Sequence, residues 1–148
     1  RRSGNTPVTA DIEVVLGDSM GEMAGYFAAA DVAFVGGSLL PLGGQNLIEP
    51  ISMGRPTLIG PHMFNFADAA EKAVAAGAAV EVADAGALVA TVAALFDDAP
   101  RCRTMRAAAL AFHAAHSGAA DRLWSWLAPR IAAAIAGRQA PGGGDVNP

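Results

Sequence analysis

Cysteine is almost absent from this chain. Cys102 is the single one in 148 residues. That excludes a disulfide within the chain and a zinc site built on cysteines. Lysine is equally scarce, with Lys72 alone among ten cationic side chains and arginine supplying the rest. Charged residues make up only 16% and the formal net charge is −4, so no basic face is expected and nucleic acid is excluded as a partner. A long uncharged stretch does run from Val32 to Ile48, but glycines, Pro41, Gln45 and Asn46 interrupt it. It is a poor membrane span. The dinucleotide fingerprint G-x-G-x-x-G, the phosphate loop G-x-x-x-x-G-K-[ST] and the nucleophile elbow G-x-S-x-G are all missing. Neither a dehydrogenase nor an ATPase is indicated.

What the chain does have is apolar material, 53% of its residues, enough for one domain with a real core. Strand and helix patterns alternate. Asp11–Leu16, Asp31–Val35, Arg55–Ile59 and Ala78–Val82 read as strands. Helices are expected from Ser19 to Ala30, in a short piece ending near Met53, and from Asn65 to Ala76, where Gly77 stops it. Ala85–Phe96, Pro100–His116 and Ala119–Ala136 follow as helices. This order implies an α/β fold with a Rossmann-like parallel sheet and flanking helices. Residues 1–10 read as a lead-in, 11–138 as the domain and 139–148 as a flexible tail. A chain beginning Arg-Arg-Ser-Gly, with a thin sheet of four strands, reads as a fragment of a longer protein.

Ligands of such sheets bind beyond the carboxyl ends of the strands. Gly17, Gly36, Gly37, Gly43, Gly44 and Gly60 all fall on that rim. Ser19-Met20-Gly21-Glu22 fits a capping box, and the same helix start offers amides to a phosphate. Asn46-Leu47-Ile48-Glu49 repeats the pattern, but Pro50 argues for a helix starting one residue later. That start frees Asn46 and Glu49 for a ligand, and a glutamate there can accept both hydroxyls of a ribose. Ser38 suits a turn, Asn65 a helix cap, and His62 a solvated loop position. His113 and His116 lack an acidic partner at metal spacing. Arg101, Arg103 and Arg106 read as a solvated face. Trp124 and Trp126, two apart, point to different sides of their helix, and one is expected in the core.

Four segments together resemble one family in order and spacing. They are Leu16-Gly-Asp-Ser-Met-Gly-Glu-Met23, Ala30-Asp-Val-Ala-Phe-Val-Gly-Gly-Ser38, Gly43-Gly-Gln-Asn-Leu-Ile-Glu-Pro50 and Gly60-Pro-His-Met-Phe-Asn-Phe66. The family is the 3-deoxy-D-manno-octulosonic acid (Kdo) transferases of lipopolysaccharide assembly. The resemblance implies a two-domain B-type glycosyltransferase fold, of which this chain is similar to most of the carboxyl-terminal, donor-binding half. It implies transfer of Kdo from CMP-Kdo to lipid A precursor at the cytoplasmic face of the bacterial inner membrane, without metal or cofactor. By motif, Met20, Gly21 and Glu22 correspond to one CMP-contacting segment, and Asn46, Leu47, Ile48 and Glu49 to another. Gly37, Ser38, Gly44 and Asn65 are candidates for lesser contacts. The catalytic base is a glutamate of the amino-terminal half, so none is expected here. Gln45 departs from the histidine that the family often has. The alternatives are the donor half of another nucleotide-sugar transferase and a non-catalytic nucleotide-binding module. Titration with CMP, UDP and GDP separates the first.

Overall fold

A computed structural model describes residues 1–4 and 7–139. Three strands, β1 (Ala33–Phe34), β2 (Thr57–Ile59) and β3 (Ala79–Glu81), form a parallel sheet in the order β1-β2-β3. Ala33 pairs with Thr57 and Phe34 with Leu58, while Thr57, Leu58 and Ile59 pair with Ala79, Val80 and Glu81. The crossovers carry α2 (Ile48–Ser52) and α3 (Ala67–Ala75), the latter preceded by a 3-10 turn at Phe64–Phe66. Before the sheet lie a 3-10 turn at Arg2–Gly4 and α1 (Met23–Ala29); after it come α4 (Ala85–Asp97), α5 (Ala99–His116) and α6 (Ala119–Gln139).

The central strand explains the three layers. Thr57, Leu58 and Ile59 are all fully buried, as expected of a parallel strand covered on both faces. Successive side chains point to opposite faces. Ile59 joins Leu47, Ile51, Met63, Ala70, Ala73 and Phe112 in one apolar cluster, whereas Leu58 joins Val82, Leu95 and Met105 in another. α2 and α3 thus cover one face and α4 the other. Arg106 is not merely solvated: its Nε donates to the Gly54 carbonyl at 3.2 Å, clasping α5 to the end of α2.

The expected strand at Asp11–Leu16 is not formed. The segment joins no ladder, and Ile12, Val14, Val15 and Leu16 stand 47–84% exposed. Its backbone bonds elsewhere instead, with the Ile12 amide closing a turn on the Thr9 carbonyl and the Leu16 carbonyl accepting the amide of Arg2. β-branched composition favours a pleated, half-buried surface, and here no partner strand supplies one. Among the described residues the sheet therefore has three strands rather than four.

The chain divides into two compact units, residues 1–115 and 116–148. The described part of the second is mainly α6. Leu123, Trp124, Trp126, Ile131 and Ile135 are all exposed on it, so neither tryptophan is the core residue expected from the spacing. Arg130 stacks over the Trp126 ring at 3.8 Å. Residues 140–148, nearly all of the expected tail, lie outside the described residues, and Gln139 is the last residue of α6. Among the described residues no helix is long and apolar enough to cross a membrane.

Candidate functional site

The segment Asn46–Pro50 is built by burial on one side. Leu47, Pro50 and Ile51 are fully buried and fix α2 against the sheet. The helix starts at Ile48, so Pro50 falls in its first turn, where a missing N–H deprives no carbonyl of a partner. The later start expected from Pro50 is therefore observed. Asn46 is not freed by it. Its Oδ1 accepts the Ile48 amide at 3.0 Å, closing a side-chain turn, and its Nδ2 donates to Glu49 Oε1 at 3.0 Å. The asparagine orients the glutamate. The Leu47 side chain is sealed in the core, out of reach of a ligand, and Ile48 is partly buried against it. Glu49 is exposed.

The second segment is held by polar side chains. The Ser19 hydroxyl donates to Glu22 Oε2 and lies 2.5 Å from the Tyr26 hydroxyl. Arg2 Nη2 donates to Glu22 Oε1 at 2.9 Å. These contacts hold the Glu22 carboxyl below its ordinary pKa, the Ser19 hydroxyl above all, while burial opposes them. Ser3 does the same to Asp18 through its hydroxyl and its amide. The expected capping box does not form. Glu22 itself is the residue before α1, and its carboxylate turns to Ser19 Oγ rather than to a backbone amide. α1 has only seven residues and α2 five, so neither offers the dipole of a long helix to a phosphate.

α1 packs against α2, and this brings the two segments together. A hollow of about 750 Å³ is lined by Gly17, Ser19, Met20, Gly21, Tyr26 and Glu49, among others. That size suits a nucleotide. Two smaller hollows adjoin it, one of about 420 Å³ reaching Gly36, Gln45 and Asn46, and one of about 210 Å³ between α1 and α2. Met23, Phe27 and Glu49 line all three. Glu22 stands behind the wall, bonded to Ser19, a lining residue.

Other candidates lie elsewhere. Ser38 is fully buried, its Oγ donating to the Val35 carbonyl at 2.6 Å and accepting the Gly60 amide at 2.8 Å. It fastens the loop to β2 and presents nothing to a ligand. Gly44 is buried, and a Cβ there would fall 2.2 Å from Met63 Sδ. Gly37, at φ +72°, is half-buried and its carbonyl takes the Gly44 amide, closing the loop between them. A Cβ on Gly60 would strike the Ser38 carbonyl at 2.3 Å. The glycines at 43, 44 and 60 thus admit the protein's own chain, not a ligand. Gly21 and Gly36 are open, as is Gly25 within α1, with nothing near a would-be Cβ. Asn65 caps no helix: α3 follows Phe66, and the Asn65 side chain crowds Gly43 while its amide bonds the Gly43 carbonyl. His62 lines a separate hollow of about 620 Å³ with Phe64, Glu71 and Glu81.

Met23, Tyr26 and Phe27 were not legible as site residues from motifs. The pairs Glu22/Tyr26 and Met23/Phe27 are both four apart in or beside α1, so helical spacing was the available signal.

No protein-family model matches the chain. Two relatives do. A 3-deoxy-D-manno-octulosonic acid transferase of Bordetella pertussis is 48% identical over 131 residues, which is 86% of this chain and 31% of that protein. The protein of the same name in Haemophilus influenzae is 36% identical over 132 residues, 88% of this chain and 31% of its own length. Among solved structures, the C-terminal CMP-Kdo binding domain of WaaA from Acinetobacter baumannii superposes with a TM-score of 0.72 at 34% identity. This chain is a homologue of the 3-deoxy-D-manno-octulosonic acid transferases. The superposition covers 75% of this chain and 58% of the WaaA domain. The parallel sheet with its flanking helices is thus the fold of that WaaA domain. The chain spans about a third of the length of the curated Kdo transferases that it matches.

Proposed function

We propose that the hollow between the Gly17–Glu22 loop, α1 and α2 holds the cytidine nucleotide of CMP-Kdo. One observation carries this reading. Met20 and Gly21 on one segment, and Glu49 on another, line the same 750 Å³ space in a chain whose structural relative is a CMP-Kdo binding domain. Glu49, oriented by Asn46, takes the ribose hydroxyls. A carboxylate has about four acceptor positions, so one bond from Asn46 leaves capacity for both. Open backbone at Gly21 admits the phosphate closely, Met20 lines the same wall, and Glu22 supports it from behind through Ser19.

In the full-length protein this unit is the donor-binding half of a B-type glycosyltransferase. The activity is transfer of Kdo to lipid A precursor at the cytoplasmic face of the inner membrane. The acceptor hydroxyl loses its proton to a base outside this chain. Stabilising the departing CMP accelerates transfer only where contacts strengthen as its phosphate gains charge. The open backbone at Gly21 is placed to do that.

Calorimetric titration of the chain with CMP, UDP and GDP tests the reading. Saturable binding with a preference for CMP is expected. A preference for UDP assigns the site to another nucleotide-sugar transferase, and no binding of any nucleotide rejects it.

A further inference from the structure

The sequence holds a single tyrosine, Tyr26, and it sits in the wall of the proposed donor site. Its ring lies over Gly17 so closely that a Cβ there would come within 2.9 Å of the ring's Cζ. Its hydroxyl is 2.5 Å from Ser19 Oγ and 3.5 Å from Glu22 Oε2. The proton arrangement follows from counting. An ionised carboxylate only accepts, so the one Ser19 proton goes to Glu22. The Ser19 oxygen is then left to accept, and Tyr26 must donate to it. At 3.5 Å the direct Tyr26–Glu22 contact is too long to compete. The result is a one-way relay, Tyr26 to Ser19 to Glu22, with Arg2 closing the far side of the carboxylate at 2.9 Å.

The relay spans the residues on both sides of Met20 and Gly21. Gly21 has φ +77°, and nothing lies within 4 Å of where a Cβ on it would stand. Met20 is 97% exposed and anchors nothing. The conformation of these two residues is therefore set by Ser19 before them and Glu22 after them. We propose that Tyr26 is a positioning residue for the donor nucleotide: its hydroxyl, through Ser19, locks Ser19 to Glu22 and so fixes the Met20–Gly21 backbone against the hollow. Tyr26 itself need not touch the nucleotide. The inference rests on the donor-site reading above.

The test uses Tyr26→Phe, which keeps the ring over Gly17 and removes only the donor, together with Ser19→Ala and the double variant. Binding of CMP is measured by calorimetry and stability by thermal melting. Tyr26→Phe is expected to weaken CMP binding about tenfold, the scale of one hydrogen bond, with the melting temperature moving by less than about 4 °C. Because Tyr26 acts through Ser19, the double variant loses no more affinity than Ser19→Ala alone. Equal affinity in Tyr26→Phe and the unsubstituted chain overturns this proposal and leaves the donor site standing. Additive losses in the double variant also overturn it, since they place Tyr26 outside the relay. A melting temperature that falls in step with affinity makes Tyr26 a folding residue and rejects the positioning role. Failure of the unsubstituted chain to bind CMP removes the donor site and this proposal together.

Discussion

Nδ2 of Asn46 stands 3.0 Å from Oε1 of Glu49, while Oδ1 of the same side chain takes the Ile48 amide at the same distance. One asparagine closes the turn into α2 and aims the carboxylate that follows it. The proposed ribose contact therefore depends on charge at Glu49 more than on its packing. Glu49→Gln preserves size and removes that charge. Hydrogen bonds to charged groups contribute about 1.5–3 kcal/mol, so CMP affinity is expected to fall roughly ten- to hundredfold. Glu49 is exposed, so the melting temperature should stay within about 4 °C. Calorimetry and melting on the same sample check both. A large drop in melting temperature with unchanged affinity would make Glu49 a helix-start residue only.

Glu22 gives a pH signature. Its carboxyl titrates below the ordinary value of 4.5, held down chiefly by the Ser19 hydroxyl and less by Arg2 and Tyr26. A carboxyl whose folded pKa is depressed stabilises the fold fully above its ordinary pKa, and loses that contribution as pH falls through the folded value. The stability gap between the unsubstituted chain and Glu22→Gln should be widest near neutrality and close as pH drops below 4.5. Melting curves across that range measure it. A gap that widens on acidification would contradict the network.

The parallel sheet and its order of helices were legible because each element carries its own local signal. Thr57-Leu58-Ile59 is an apolar, β-branched run bounded by Pro56 and Gly60, and it is the buried central strand. Gly77 ends α3 with φ +70° as its position promised. The two candidate segments do line one hollow, but not by the expected route: Asp11–Leu16 forms no strand to carry the first on the rim, and the packing of α1 on α2 brings them together. What failed depended on partners. Asp11–Leu16 has strand composition but no neighbour to pair with, and propensity alone forms no ladder. The glycines at 43, 44 and 60 looked like room for a ligand and are room for Met63, Asn65 and Ser38. Sequence shows that the backbone must be approached closely, but not by what. Tyr26 carries no motif; the four-residue spacing from Glu22 was its one sequence signal, and its hydroxyl distances are what mark it.

The isolated chain should show no transfer of Kdo from CMP-Kdo to lipid A precursor. Glu22 is held ionised by Ser19 and Arg2, which makes it a weak proton acceptor, and Glu49 is assigned to the ribose. Neither is free to take the acceptor's proton. A radiochemical transfer assay with purified chain checks this. Detectable transfer would place a base among the residues described here and reverse the division of labour between the two halves.

Ser38 should behave in the opposite way to Glu49. Its hydroxyl is fully buried, donates to the Val35 carbonyl and accepts the Gly60 amide, so it ties the loop after β1 to the end of β2. Ser38→Ala strands a buried amide and a buried carbonyl together. Leaving such a group unsatisfied costs about 1–3 kcal/mol, or a fall of roughly 4 °C or more in melting temperature for a domain of this size. Once folded, the variant should bind CMP within about twofold of the unsubstituted chain, because the buried hydroxyl reaches none of the three hollows around Glu49. Calorimetry well below the melting transition separates the two effects. Loss of CMP affinity at unchanged melting temperature would return Ser38 to the binding site.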